Sequence, residues 1–197
     1  EAVLILTGGD HTAMTVAAME AGKHALVEKP LAFTTAAVER VIAAERASPA
    51  KVLMGYCMAF DPAFTKAREE LADWDEIEFV GAQLLFPNVD LYFTHQHYRE
   101  LGEIPEGARA RSDVTDPDHP VAQLAAAELG GMPDPASLRN YFRLFQATVH
   151  DVYLLRLLLG HPPRVITSDH WHRGDHFAGT LEYPGGTLVQ YSMVANR

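Results

Sequence analysis

One residue in this sequence has both the type and the setting for reaction chemistry. Lys29 stands in Glu28-Lys29-Pro30, directly after the apolar run His24-Ala25-Leu26-Val27, and is one of only four lysines. Pro30 fixes φ and removes a backbone donor, so the turn is stiff. A stiff turn at the carboxyl end of a parallel strand holds the amine where open α/β sheets bind their ligands. A cation there can bond a substrate hydroxyl and stabilise the alkoxide that develops as hydride leaves. The plainer reading is an exposed lysine in a βα turn. Histidines, ten in number, are the other candidates. His95 and His97 have the i, i+2 spacing that puts two ligands on one strand face, and His170, His172 and His176 lie within one short run. The favoured reading of these is polar, partly exposed histidines in a loop and an edge strand. The single cysteine, Cys57, excludes a Cys-rich zinc site and a disulfide framework. Beside Met54 and Met58 it reads as a small buried hydrophobe.

The elements that must position these groups follow from the hydrophobic pattern. Ala2-Val3-Leu4-Ile5-Leu6, bounded by Thr7-Gly8-Gly9-Asp10, reads as a fully buried parallel strand. His11 to Ala21 reads as a helix ended by Gly22, and His24 to Val27 as a second strand. A helix capped by Thr34 or Thr35 and ended by Ser48-Pro49 follows, then a strand over Lys51 to Tyr56. Strand–helix–strand–helix–strand means parallel βαβ units with right-handed crossovers. The character changes after Gly55. Asp61-Pro62 starts a helix to about Trp74, and Ile77 to Phe86 is a longer strand. Residues 93–136 are polar, rich in Pro and Gly, and read as one long loop of the lid or binding type. Ser137 to Leu159 is the longest helical pattern, with Leu138, Tyr141, Phe142, Phe145, Val149, Val152 and Leu155 as its buried stripe. Gly179–Tyr183 and Leu188–Met193 form a hairpin through Pro184-Gly185-Gly186. The fold class is therefore α/β: part of an open parallel sheet in residues 1–55, then an α+β unit with a mostly antiparallel open sheet in residues 56–197.

Composition narrows the function. The chain has 197 residues, 48 % hydrophobic and 21 % charged, and a net charge of −10. That excludes a disordered tail or a coiled coil, and disfavours nucleic acid or an anionic membrane as partner. No apolar run approaches the roughly 18 residues of a membrane span. Cysteine usage suits a reducing, cytoplasmic setting. The chain opens on a strand-like run without Met and reads as a fragment of something longer.

Three stretches resemble the Gfo/Idh/MocA family of NAD(P)-dependent oxidoreductases, in the family's order. The first is Ala21-Gly22-Lys23-His24-Ala25-Leu26-Val27-Glu28-Lys29-Pro30-Leu31-Ala32, preceded by Thr7 and His11. The second is Gly55-Tyr56 followed by Phe60-Asp61-Pro62-Ala63-Phe64, and the third is His150 to Gly160. The resemblance implies the second half of a Rossmann-type sheet followed by a substrate-binding and oligomerisation domain that is incomplete at its C-terminus. It implies hydride transfer between NAD or NADP and a hydroxyl-bearing carbon of a sugar, polyol or related small molecule. Lys29 would contact the reacting hydroxyl and His150 would act as its acid/base partner, a role that suits an imidazole with its ordinary pKa near 6.5. Glu28 and Pro30 would shape the cofactor side, and Thr7, Gly8 and His11 would sit near its ribose. Tyr153, one turn beyond His150, could bond substrate, and Tyr92, His95 and His97 could line the site if the long loop closes. Homo-oligomers through the sheet face are expected on the same basis.

The departures from the family pattern are specific. Gln146 stands where an Asp is usual one turn before the histidine, and it cannot ionise. Tyr153 stands where a second Asp is usual, and Cys57-Met58-Ala59 replaces an Asn/Arg-containing turn. Thr7-Gly8 replaces Thr-Pro, and no G-x-G-x-x-G occurs among the 14 glycines. These residues alone are therefore expected to be inactive, the pyrophosphate-binding turn being absent from them. Two alternatives stay open. One is a metal-binding, hydrolase-like domain on His170, His172 and His176, whose run approaches the H-x-H-x-D-H of metallo-β-lactamase-like hydrolases with one residue too many. The other is a catalytically degenerate binding module, for which Gln146 is the main support.

Overall fold

The structure, a computed structural model, describes residues 1–74, 76–86, 113–160 and 164–195. It opens with β1 (Ala2–Ile5), α1 (Thr12–Glu20), β2 (His24–Val27), α2 (Thr35–Ala47) and β3 (Val52–Met54). The strands form one parallel sheet in the order β1-β2-β3. Thr34 caps α2 by accepting from the Ala37 N–H, and α1 ends at Gly22, whose φ is +65°. The two helices pack against each other, and Ala18, Met19, Ile5, Ala25 and Val27 form the core beneath them.

The expectation of a fully buried β1 is not met. Only Ile5 is buried; Leu4 is 67 % exposed and Leu53 of β3 is 56 % exposed. Leu4, Leu26 and Leu53 are cross-strand partners in register, so they make a leucine row across the face away from Ile5 and Val27. Hydrophobic character showed that this strand could be buried on both faces, not that a second layer of described residues covers it.

Beyond β3 a short 3₁₀ turn, Cys57–Phe60, leads into α3 (Pro62–Leu71), capped by the Asp61 carboxylate on the Ala63 and Phe64 N–H groups. Cys57 is exposed there, against expectation, because the 3₁₀ turn carries no buried residue. Four strands then form a second sheet: β4 (Phe79–Phe86), β5 (Arg164–Trp171), β6 (His176–Glu182) and β7 (Leu188–Ala195), in the order β4-β7-β6-β5. β6 and β7 are the expected hairpin, with Glu182 opposite Leu188. β5 runs antiparallel to β6, and β4 parallel to β7, so the sheet is mixed with antiparallel pairs in the majority.

Within the stretch read as one loop, the structure places a helix, α4 (Pro120–Leu129). Its signals were present. Pro120 sits at the first position after His119, whose Nδ1 accepts from the Val121 N–H; the body is alanine-rich; and Gly130 ends it in the left-handed region. Ala122 and Ala125 pack on Leu138 of α5 (Pro135–Arg143). A π-helical turn, Leu144–Thr148, then leads into α6 (Val149–Leu159). Leu138 and Leu155 of the expected stripe are buried, but Val152 is 46 % exposed, since the π turn shifts the helical phase ahead of it. Leu155 packs on Tyr183, Val189, Tyr191 and Met193 of the second sheet.

Candidate active site

The Lys29 turn is held from beneath by a single imidazole. His11 is fully buried, and its Nδ1 and Nε2 each lie 2.6 Å from a main-chain oxygen, of Pro30 and Thr7 respectively. A neutral ring has one N–H, so it donates to one of the two. The His11 N–H donates to the Leu31 carbonyl, and the Asp10 carboxylate accepts from the Phe33 N–H. These bonds tie the loop after β1 to the loop after β2. The Lys29–Pro30 peptide is cis. Thr7 is exposed and Gly8 is open to space, with nothing within 4 Å of where a Cβ would stand. Gly55, at the end of β3, approaches the same turn: a Cβ there would lie 2.9 Å from Glu28 Oε2 and 3.2 Å from the Val27 oxygen. Thr7, Gly8, His11, Glu28 and Pro30 thus gather at the carboxyl edge of one parallel sheet.

The other side of the site comes from the α5–π–α6 run. Phe33, fully buried, stacks on Phe142 at 6.3 Å and tilts against Phe145 at 5.2 Å, and the Tyr141 hydroxyl donates to the Phe33 carbonyl. That contact seats the helical run over the Lys29 turn. Lys29 Nζ donates to the Gln146 carbonyl at 3.0 Å and to Gln146 Oε1 at 3.3 Å. Gln146 lies in the π turn, where the wider winding presents both of its oxygens to one amine.

His150 follows one turn later. Burial pushes its pKa below the ordinary value, the Lys29 cation adds to this, and Glu28 and Asp151 pull the other way. Its Nδ1 is buried and makes no hydrogen bond. Tyr56 stands edge-on to the imidazole at 6.3 Å and stacks on Tyr153 at 4.3 Å, so the three rings form one wall. Burial and the neighbouring Tyr153 hold the Tyr56 hydroxyl above its usual range. Asp151 points elsewhere and accepts from the Tyr191 hydroxyl at 2.8 Å, a structural bond into the second sheet. Tyr92, His95 and His97 lie outside the described residues.

Tyr56 was not among the candidates read from sequence, and neither was Arg139. Tyr56 had a signal, its place directly after the last strand of the parallel sheet. Arg139 had none, since an arginine on a helix surface looks like any solvated charge.

A cavity of about 380 Å³ opens beside Lys29, lined by Gln146, Arg143, Arg139, Phe142 and Asp113 among others. Arg143 donates through Nε and a terminal nitrogen to Asp175, which is fully buried. Asp113 is held below the usual carboxylate range chiefly by Thr115, with Arg139 contributing through space.

The histidine run at 170–176 is a hairpin turn, not a ligand cluster. β5 ends at Trp171, β6 begins at His176, and His172 lies in the turn between. His170 Nε2 sits 3.2 Å from Ser137 Oγ, and His176 Nδ1 accepts from the Ala195 N–H. Asp175 accepts from Arg143 Nε and a terminal nitrogen. Among the described residues no three His, Cys, Asp or Glu side chains form a metal-sized group. The metal-binding alternative is therefore not favoured: the one-residue excess in the run is the hairpin's own turn. Nor is any described helix long and apolar enough to cross a membrane.

Residues 1–56 match the model of an oxidoreductase family with an NAD-binding Rossmann fold. A stretch of 87 residues is 36 % identical to an inositol 2-dehydrogenase/D-chiro-inositol 3-dehydrogenase of Shouchella clausii, covering 43 % of this chain and 24 % of that protein. Over 71 residues the chain is 38 % identical to an inositol 2-dehydrogenase of Saccharopolyspora erythraea, covering 34 % of this chain and 21 % of that one. Among solved structures, an NAD⁺ complex of an inositol dehydrogenase homologue from Azotobacter vinelandii superposes with a TM-score of 0.68 at 23 % identity. That match covers 97 % of this chain and 44 % of the other. The myo-inositol 2-dehydrogenase of Lactobacillus plantarum gives 0.69 at 16 % identity, covering all of this chain and 51 % of that one. These superpositions establish the fold, and the chain spans about half the length of the solved structures it matches.

Proposed function

We propose that this chain, whose residues 1–56 belong to the NAD-binding Rossmann oxidoreductase family, carries the reacting pair of a nicotinamide-dependent oxidoreductase acting on a hydroxyl-bearing carbon of a sugar, polyol or related small molecule. The observation that carries the reading is the meeting of Lys29, on the turn after β2, with Gln146, one turn before His150 on a separate element. When bound, NAD or NADP supplies the hydride acceptor. Thr7, Gly8, Glu28 and Pro30 would hold its nicotinamide end, and the open space above Gly8 fits a ligand approaching the backbone there. His11 would serve them by fixing the two loops against each other.

The chemistry of the pair follows from its proton inventory. An ammonium has three donors, and Gln146 occupies two on Lys29, which leaves one for the substrate oxygen. His150, its pKa lowered, is the neutral base at pH 7 and accepts the hydroxyl proton during oxidation. Lys29 then faces the developing alkoxide with a full charge. Gln146 turns Oε1 to the amine, so its NH₂ is left to donate to substrate. Tyr56 and Tyr153 offer an apolar wall with hydroxyl tips, a surface suited to a polyol ring.

In the same reading residues 1–55 form part of a cofactor-binding domain and residues 56–197 the substrate-binding domain. Copies associate through the open face of the four-stranded sheet, where Phe79 and Val165 are each 59 % exposed. The test is the whole protein with NAD⁺ and NADP⁺ and a panel of sugars and polyols. Lys29→Met and His150→Asn are each expected to lower kcat by roughly 10²–10⁴-fold. A Lys29→Met variant with undiminished turnover would remove the assignment. A whole protein that binds neither nucleotide would favour a binding module.

A further inference from the structure

We infer that the cavity beside Lys29 receives a carboxylate carried by the substrate, with Arg139 as its anchor, so that the substrate class narrows to hydroxy acids of the sugar or polyol series. This rests on the oxidoreductase reading, which it deepens. Arg139, Arg143 and Gln146 fall at i, i+4 and i+7 along the α5–π run and line one cavity, with Lys29 at its Gln146 end. The three basic groups there are not equivalent. Lys29 is held by Gln146, and Arg143 is neutralised by the buried Asp175. Arg139 alone has no hydrogen bond or salt bridge among the described residues, and its Nε is buried and unpartnered.

A guanidinium without a hydrogen-bonded partner is costly where it is partly buried, and native structures satisfy it with water or a ligand. The planar fork matches a carboxylate in two parallel bonds. Arg139 feels the Asp113 carboxylate only through space, so its donors stay open to an anion. Asp113 on the same wall opposes a dianion more than a monoanion, which favours a carboxylate over a phosphate. Size agrees: about 380 Å³ is within the range of small-molecule pockets. Seven helical residues separate Arg139 from Gln146, about 10 Å along the axis at 1.5 Å per residue. Two long side chains converging from those ends bring the anchor and Lys29 within the span of one multi-carbon substrate. A protein of net charge −10 would otherwise repel such an anion, which makes the local cations the more necessary.

The experiment compares glucose, glucuronate and glucose 1-phosphate as substrates of the whole protein, with calorimetric titration of glucuronate in parallel. Glucuronate is expected to exceed glucose in kcat/KM by about 10–100-fold, the range of a charge-assisted hydrogen-bond pair. Arg139→Met should bring that ratio close to one and weaken glucuronate binding by a similar factor, and Arg139→Lys should restore part of both. Circular dichroism confirms that each variant is folded. Equal turnover of glucose and glucuronate by the wild type overturns the inference and leaves the oxidoreductase reading intact. Preference for the phosphate, or glucuronate binding indifferent to Arg139, overturns it too. Arg139-dependent binding of glucuronate with no Lys29-dependent turnover sustains the carboxylate site while removing the oxidoreductase reading.

Discussion

Lys29 and His150 share one electrostatic environment, so a change at one is read at the other. The Lys29 cation is the second cause of the lowered His150 pKa, after burial. Lys29→Met is therefore expected to raise the His150 titration toward its ordinary value near 6.5, measurable from the imidazole C2 proton by NMR. The sign for stability follows. In the unfolded chain His150 binds its proton near pH 6.5; in the folded chain it binds only at lower pH. Between those two values the unfolded state holds more protons, so stability falls as pH drops through that window and is flat above it. His150→Asn should flatten this slope in urea titrations at pH 7.5 and 5.5. The acid limb of oxidation should likewise lie below 6.5 in the wild type. A separate residue-scale expectation concerns Arg143. Arg143 donates two bonds to the fully buried Asp175 carboxylate, and Arg143→Met should destabilise by about 1.5–3 kcal/mol in chemical unfolding, the range of a hydrogen-bonded charge.

At the scale of elements, the hairpin turn between β5 and β6 fits against α5 with no room to spare. A Cβ at Gly174 would stand 2.0 Å from the Ala136 carbonyl oxygen, and the backbone there has φ of +84°. Gly174→Ala is thus expected to cost about 2–4 kcal/mol, from overpacking and the left-handed conformation together. A melt should register this as a lower Tm. These elements differ in how plainly the sequence announced them. β2 was readable to its last residue, and α2 and α3 announced their starts through Thr34 and Asp61, because caps and short apolar runs are local signals. The π turn was not readable, since five extra-wide residues leave no mark on a hydrophobic pattern. α4 is masked in the sequence because the polar, Pro-rich stretch around it outweighs its alanines. The site divided in the same way. Lys29 and His150 stood out through residue type beside family-like neighbours. Arg139 and Tyr56 acquire meaning only through what the fold places against them.

On the scale of the whole molecule, Phe33 ties the parallel-sheet unit to the α5–π run. Its ring enters the aromatic cluster of Tyr141, Phe142 and Phe145, and α2 adds a second tie where the Thr35 N–H donates to Glu128 at 3.1 Å. Phe33→Ala should cost about 3–5 kcal/mol and free the Lys29 amine from Gln146. Protection of the amides of residues 144–148 in hydrogen exchange would then drop, whereas that of β6 and β7 would persist. The leucine row on the first sheet has a more practical outcome. Oil-like side chains side by side on a flat surface attract the same patch on a neighbour, and acidic repulsion elsewhere does little at contact range. Preparations of these 197 residues should scatter light increasingly with concentration and brighten an apolar-surface dye. Leu4→Lys should clear the solution without loosening the core that Ile5 and Val27 build on the opposite side.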